Sequence, residues 1–519
     1  MFENSAFFEL PKINSFAALP PEFYSLVPTT PLRDPVLVHA DEMVGALVGL
    51  RPEHFKSKAF VDIVSGSAPL PGGVTMAAVY SGHQFGVWAG QLGDGRAHLL
   101  GEIAGPNGHW ELQLKGAGPT PYSRRGDGRA VLRSSIREYL ASHAMSGLGI
   151  PTTQALAIVS AKDRVIRETS ETAAIVARMA PSFVRFGSFE HWAARNAPAE
   201  LTVLADYVID RFYPECMLSE PGVPDRPGQR YVRLLRAVVS RTALLMAQWQ
   251  LVGFCHGVMN TDNMSILGLT LDYGPFGFMD AFDAKHICNH TDVQGRYAWY
   301  AQPKVAHWNL YQLANSLHVI APDAEALRDA LNTFEPTFFD AMQTQMSRKL
   351  GLGAWREGDE ALVDDLWSLM QANHADFTLT FRQLAYAPGS SEPSPHQDLN
   401  RIKRDLAGTT GATVQPFVDL FLDREAAVAW LGRYWNRVES APIVSPETRR
   451  ESMLAVNPLY VLRNYLAQQA IEAAQEGDFG EVAVLLKVLK SPFTHHAGMD
   501  AYAAQPPAWA TKIEVSCSS

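Results

Sequence analysis

Cysteine is scarce: the 519 residues hold four, Cys216, Cys255, Cys288 and Cys517. They are too few and too scattered for a disulfide framework or for the close ligand pairs of a zinc site, so a reducing compartment is expected. Basic residues are in deficit, 44 Lys and Arg against 54 Asp and Glu, for a net charge of −10. That balance disfavours a general nucleic-acid or anionic-membrane surface, so neither partner is expected and any cationic site must be local. Long hydrophobic runs are missing as well, none approaching the roughly 20 apolar residues that span a bilayer. The opening MFENSAFFELPKINSFAALP has two early acids, no basic segment and no sustained apolar stretch. No signal peptide is therefore expected, and the reading is a cytoplasmic monomer.

What is present is an ordinary globular composition, 47% hydrophobic and 19% charged, which excludes disorder as the main state. The length exceeds what one hydrophobic core usually organises, so cooperating lobes around a cleft are expected. From about Ala77 to Ala180 short apolar runs (AHLLGEI, HWELQLK, ALAIVSA, AAIVARM) alternate with glycines around one helical stretch. After about Gly187 long helical patterns dominate, such as RYVRLLRAVVSRTALLMAQWQLVGF and PLYVLRNYLAQQAIEAAQ. The expected class is α+β, with an N-terminal α+β lobe over 1–186 and a larger, mainly helical lobe over 187–519. SAPLPGG and APGSSEPSPHQD read as surface loops or a hinge.

Strand alternation puts Trp110, Leu112 and Leu114 on one face and Glu111, Gln113 and Lys115 on the other. The helix in LRSSIREYLASHAMSGLG carries its stripe on Leu132, Ile136, Tyr139 and Leu140, leaving Glu138 off it, with Gly147 and Gly149 as stops. Taken singly, Lys115 and Glu138 read as solvated surface charges. Asp262, Asn263 and Asp272 place three oxygen-bearing side chains close together, the donor type that Mg²⁺ or Mn²⁺ takes; an acidic turn explains them too. His256 is followed by Val258 at the second place and Asn263 at the seventh, where a protein-kinase catalytic loop has His, Asp and Asn. Asp272-Tyr273-Gly274 stands where the metal-holding Asp-Phe-Gly would stand. The order of strand lysine, helix glutamate, catalytic loop and metal loop predicts a protein-kinase-like, two-lobed fold lacking its usual base. In it Lys115 would hold phosphate oxygens and Glu138 would orient Lys115.

Two further stretches bear on phosphate. In GQLGDGRA, Gly93 and Gly95 would let backbone amides approach an anion while Arg96 supplies a fork of donors, although a tight hairpin accounts equally for the glycines. SRRGDGRAVLR contributes Arg124, Arg125, Asp127, Gly128 and Arg129, and VARMAPSFVRFG adds Arg178 and Arg185. So many arginines in an acidic chain suggest a polyphosphate site; surface ion pairs are the other reading.

On SGHQFGVWAGQLGDGRA, LQLKGAGPTPYSRRGDGRAVLRSSIREYL, FCHGVMNTDNMSILGLTLDYGPFGFMD and the terminal CSS, the chain resembles the selenoprotein O (SelO, also YdiU) pseudokinases over nearly its full length. The resemblance implies a kinase-like fold with ATP in a flipped orientation. AMP, rather than the γ-phosphoryl group, would then pass to Ser, Thr or Tyr hydroxyls of proteins and pyrophosphate would leave. It implies nucleotide-binding roles for Gly93, Gly95, Arg96, Lys115, Asp127, Gly128, Arg178, Arg185 and Asp272. Asp262 would be the proton acceptor, and Asn263 with Asp272 the metal ligands. Under this flip the carboxylate missing at Val258 moves to Asp262.

A uridylyltransferase using UTP, an ordinary kinase and a non-catalytic nucleotide-binding scaffold stay open. Val258 argues against the kinase, and the intact Asp262, Asn263 and Asp272 against the scaffold. Some family members carry selenocysteine third from the end, where this chain has Cys517. With Cys288, flanked by His286 and His290, it forms a candidate redox pair in which nearby imidazolium would favour the thiolate. An inert pair of thiols is the other reading.

Overall fold

The computed structural model describes residues 7, 10–167, 169–218, 227–387, 417–440 and 445–515. The strands in chain order are β1 (Tyr24–Leu26), β2 (Val36–Ala40), β3 (Met76–Ala78), β4 (Ser81–Gln84), β5 (Val87–Gln91), β6 (Ala97–Gly105), β7 (Gly108–Lys115), β8 (Ala130–Val131), β9 (Gln154–Ile166), β10 (Ser170–Ala180), β11 (Phe254–Cys255) and β12 (Gly277–Phe278). Eight of them form one antiparallel sheet in the order β1-β3-β6-β7-β10-β9-β2, with β8 also pairing β10. Strands β1 and β2 thus extend the sheet upstream of the expected start near Ala77. A two-residue turn closes β6 onto β7, with Gly105 opposite Gly108, while β4 and β5 form a separate hairpin.

The helices that matter for the site are α1 (Glu42–Ala46), α2 (Lys58–Val64), α3 (Leu132–Gly147), α4 (Phe186–Ala194), α5 (Pro198–Phe212), α6 (Gln229–Leu251), α7 (Gln302–Leu317), α8 (Ala324–Asn332) and α9 (Phe334–Leu350). The sheet is covered on both sides. Leu112, Leu114, Ile175 and Ala177 share a core with Phe60 and Ile63 of α2, whereas Ala174 and Val176 pack with Ile136, Tyr139 and Leu140 of α3. The alternation expected for β7 holds, but its polar face is not solvated: Glu111, Gln113 and Lys115 are 2%, 1% and 7% exposed. Covering that face with α3 obliges its polar groups to pair with one another, because an unpaired buried charge costs several kcal/mol.

Beyond Ala180 the described residues are mainly helical, and α6, close to its expected span, packs against α7, α8 and α9. The helix expected from Pro458 starts later and runs over Asn464–Gln475. Leu459 and Tyr460 donate their amides to the Pro492 carbonyl instead, at 2.7 and 3.1 Å. Arg463 just ahead of the helix is pinned by Asp280 and Asp376, at 2.6 and 2.8 Å. SAPLPGG is a loop, as expected, while APGSSEPSPHQD lies from residue 388 onward outside the described residues. No helix among the described residues is long and apolar enough to cross a membrane.

The last turn of α3 meets the helix Gly480–Leu489 at Gly147, where an added Cβ would lie 2.0 Å from the Leu489 carbonyl oxygen. Gly147→Ala gains about 1 kcal/mol of helix propensity, but a rigid backbone oxygen at that distance forces the helices apart at a cost of about 1–3 kcal/mol. Net destabilisation in chemical denaturation is expected; a more stable variant would show that α3 is free to shift against its neighbour.

Candidate active site

Lys115 ends β7 between Ala97 and Val176 on the flanking strands. Its Nζ lies 2.6 Å from Glu138 Oε2 of α3 and 3.4 Å from Asp272 Oδ1. Arg178 sits opposite Gln113 in the β7–β10 register, so its Nε and Nη2 donate to Gln113 Oε1 at 2.9 and 2.7 Å. Its Nη1 donates to Glu138 Oε1 at 2.9 Å and to Asp272 Oδ1 at 2.6 Å. From the residue before α4, Arg185 Nη1 donates to Asp272 Oδ2 and to the Asp262 carbonyl, both at 2.7 Å. Burial disfavours charge on Asp272, but Arg178, Lys115 and Arg185 outweigh it and hold the carboxyl well below the usual range. Burial lowers the Lys115 pKa against the pull of Glu138 and Asp272.

Asp272 adopts a left-handed backbone with φ of 52°, a conformation that aspartate tolerates better than most residues. His256 holds the loop ahead of it. Burial lowers its pKa, and Nε2–H of the neutral ring donates to the Leu271 carbonyl at 2.8 Å. Trp249 stacks on the ring at 5.3 Å between centroids. The histidine of the expected motif thus positions the neighbour of Asp272.

Thr261–Asn263 form a short 3-10 turn after Asn260. Asp262 is 8% exposed; its Oδ1 makes no hydrogen bond, and its Oδ2 accepts from Gln84 Nε2 at 3.3 Å. Burial pushes its carboxyl up to about 6, against the pull of Arg185 and Gln84. Asn263 donates its amide nitrogen to the Val258 carbonyl at 2.9 Å.

Gly93, Gly95, Arg96, Lys115, Asp127, Gly128, Arg178, Asp262, Asn263 and Asp272 all line one cleft of about 590 Å³, a volume typical of small-molecule sites. Arg185 and Glu138 stand behind it, reaching it through Asp272 and Lys115. The glycines have packing reasons of their own. A Cβ on Gly93 would strike the Tyr122 ring at 2.4 Å, and one on Gly128 would lie 2.1 Å from the Gly118 backbone. Asp127 is engaged by Arg167, at 2.9 Å to each of two nitrogens, which lowers its pKa.

Sequence reasoning passed over Gln113, Gln84, Glu190 and Arg167. Gln113 had a signal, since it shares a strand face with Lys115 two residues away. Gln84 had none, because its partner lies 178 positions on.

The redox expectation needs correction at Cys288. It is buried, donates its thiol to the Cys255 carbonyl at 3.2 Å, and burial raises its pKa well above the ordinary value. Burial also lowers the pKa of the neighbouring His286, so an imidazolium there is disfavoured rather than a source of thiolate. Cys517 lies outside the described residues.

The donors fit a hard divalent cation. Asn263 has its amide nitrogen on the Val258 carbonyl, which frees the amide oxygen, and Asp272 brings to the same cleft a carboxylate that Lys115, Arg178 and Arg185 now occupy. Among the described residues no group of three or more His, Cys, Asp or Glu forms a metal cage. One or two carboxylates completed by substrate phosphates is the usual arrangement for Mg²⁺.

Set beside known proteins, the chain is a nucleotidyltransferase. It belongs to the SelO family, whose model, described as protein adenylyltransferase SelO, matches residues 6–490. A protein of Bordetella petrii named protein nucleotidyltransferase YdiU is 60% identical over 507 residues, covering 98% of each chain. One of the same name from Dechloromonas aromatica is 51% identical over 508 residues, covering 98% of this chain and 97% of its own.

Removing Lys115 strips Glu138 of one of two cationic partners inside the protein. Breaking a buried pair costs about 3–5 kcal/mol; because Arg178 stays on Glu138, Lys115→Met is expected near or below the lower end. A denaturation midpoint equal to that of the wild type would show that the pair contributes nothing to folding.

Proposed function

We propose that this chain is a protein adenylyltransferase that moves AMP from ATP to Ser, Thr or Tyr hydroxyls of proteins and releases pyrophosphate. It would do so in a kinase-like build of two lobes, an α+β lobe over 1–186 and a mainly helical lobe over 187–519, with ATP and Mg²⁺ or Mn²⁺ between them. The observation that carries this reading is the Glu138–Lys115–Asp272 charge chain in a cleft where Val258 replaces the kinase base and Asp262 stands ready instead. Membership of the SelO family supports it.

In this reaction the acceptor hydroxyl attacks the α-phosphorus, the bond from that phosphorus to the bridging oxygen breaks, and pyrophosphate departs. The hydroxyl proton goes to Asp262, whose free Oδ1 and raised pKa suit a general base near neutral pH. Lys115, Arg96 and Arg178 supply positive charge along the phosphates, Arg185 adds its field from behind Asp272, and Glu138 and Gln113 fix Lys115 and Arg178. Asn263 and Asp272 would hold the divalent cation, which would supply neutralising charge to the phosphates.

Incubation with ATP labelled on the α-phosphate is expected to label protein, and γ-label is not. Transfer of γ-label alone would restore the ordinary kinase reading, and α-label entering faster from UTP would make the enzyme a uridylyltransferase.

Asp272→Asn keeps hydrogen-bond acceptance but removes the charge. Transfer is expected to fall to background, with stability reduced because Arg178 and Arg185 lose their shared anion. Near-wild-type transfer with metal still required takes Asp272 out of the site.

A further inference from the structure

The β4–β5 hairpin lies against the turn that carries Asp262, and three consecutive hairpin residues bond to three consecutive turn residues. His83 donates its amide to Thr261 Oγ1 at 2.7 Å, Gln84 donates Nε2–H to Asp262 Oδ2 at 3.3 Å, and Phe85 donates its amide to Asn260 Oδ1 at 3.1 Å. The Phe85 amide also reaches the Tyr297 hydroxyl, at 2.9 Å, and that hydroxyl donates to the same Asn260 oxygen at 2.7 Å. On the far side Glu190 of α4 takes a hydrogen bond from His83 Nδ1 at 2.6 Å and another from the Thr261 hydroxyl. One carboxylate therefore ties the hairpin and the turn to the same helix.

The backbones are close enough to need glycine. A Cβ on Gly82 would lie 2.9 Å from Thr261 Oγ1 and 3.2 Å from the Asp262 amide nitrogen, and one on Gly187 would lie 2.1 Å from the Ser81 carbonyl and 3.4 Å from Asp262 Cα. With Arg185 on the Asp262 carbonyl, the aspartate is held by its backbone from one side and by its carboxylate from the other. Gln84 holds Oδ2 of that carboxylate, while Oδ1 is buried and without a hydrogen-bond partner in a residue that lines the cleft.

We infer that the β4–β5 hairpin is the element that aims the proton-accepting oxygen at the acceptor hydroxyl, with Gln84 as its positioning residue. This rests on the transfer reading above, in which Asp262 is the base. A neutral amide donor suits the task. It occupies one carboxylate oxygen and fixes the carboxylate plane, and unlike a lysine or arginine it does not neutralise the charge that makes the other oxygen basic. The hairpin register supplies the precision, since His83 and Phe85 on either side of Gln84 are themselves tied to the turn. A misplacement of about 1 Å at a reacting group costs on the order of 10²-fold in rate.

The test compares wild type, Gln84→Met, which keeps length but has no donor, and Gln84→Asn, which keeps the donor one methylene short. α-Label incorporation, affinity for a non-hydrolysable ATP analogue, and melting temperature are measured for each. The expected result for Gln84→Met is a fall in kcat on the order of 10²-fold with analogue affinity and melting temperature unchanged, and an intermediate kcat for Gln84→Asn. Wild-type kcat in Gln84→Met overturns the inference, and so does a parallel loss of kcat, affinity and melting temperature in both variants, which would mark a merely structural contact. Failure of the wild type itself to incorporate α-label removes the transfer reading and this inference with it.

Discussion

The carboxylate of Asp272 meets Arg178, Arg185 and Lys115, and much of the surrounding architecture serves to keep those cations on it. Each buried charge costs several kcal/mol to desolvate, so none is stable there without its partners. Two carboxylates, Asp272 and Glu138, face the three cations, leaving the cluster with a positive surplus inside a chain whose net charge is −10. A polyphosphate is the natural complement of such a surplus. Because the cations come from β7, β10 and the start of α4, and the anions from α3 and the loop before β12, the cluster exists only when the sheet, its covering helix and the helical part of the chain are docked together.

Around Asp262 the governing constraint is steric. Gly82 and Gly187 remove side chains where the hairpin, the start of α4 and the Asp262 turn converge, and nothing larger fits between these backbones. Glu190 then links hairpin and turn through His83 and Thr261. The same logic governs the opposite wall of the cleft, where Gly93 and Gly128 make room for Tyr122 and for the Gly118 backbone. Their glycine character is explained by packing within the loops, so a phosphate need not be invoked for it.

The strand and helix that carry Lys115 and Glu138 were legible from local pattern, because periods of two and of about 3.6 residues write themselves into any chain whose elements have one apolar face. Burial of the polar faces was not. Gln113 and Lys115 look solvated until α3 is laid over them, and the pairing that makes this tolerable runs from Gln113 through Arg178 to Glu138. The thiol of Cys288 is a similar case: histidines beside it in sequence suggested a thiolate, yet the chain folds it against the Cys255 carbonyl and burial raises its pKa. The extended stretch before Asn464 is a third case, since its helical pattern yields to hydrogen bonds with Pro492 and to the two carboxylates on Arg463.

By itself, then, the sequence determined the α+β class, the order of lysine strand, glutamate helix and acidic loops, and the kinship that those motifs carry. These are properties of residue type and spacing, which local periodicity and motif order preserve. Only the tertiary structure decided which charges share a partner, which are buried, and that Gln84 reaches Asp262 across 178 positions of chain. Ion pairing and burial depend on distance in space, and a contact between segments so far apart leaves no trace in the spacing of either one.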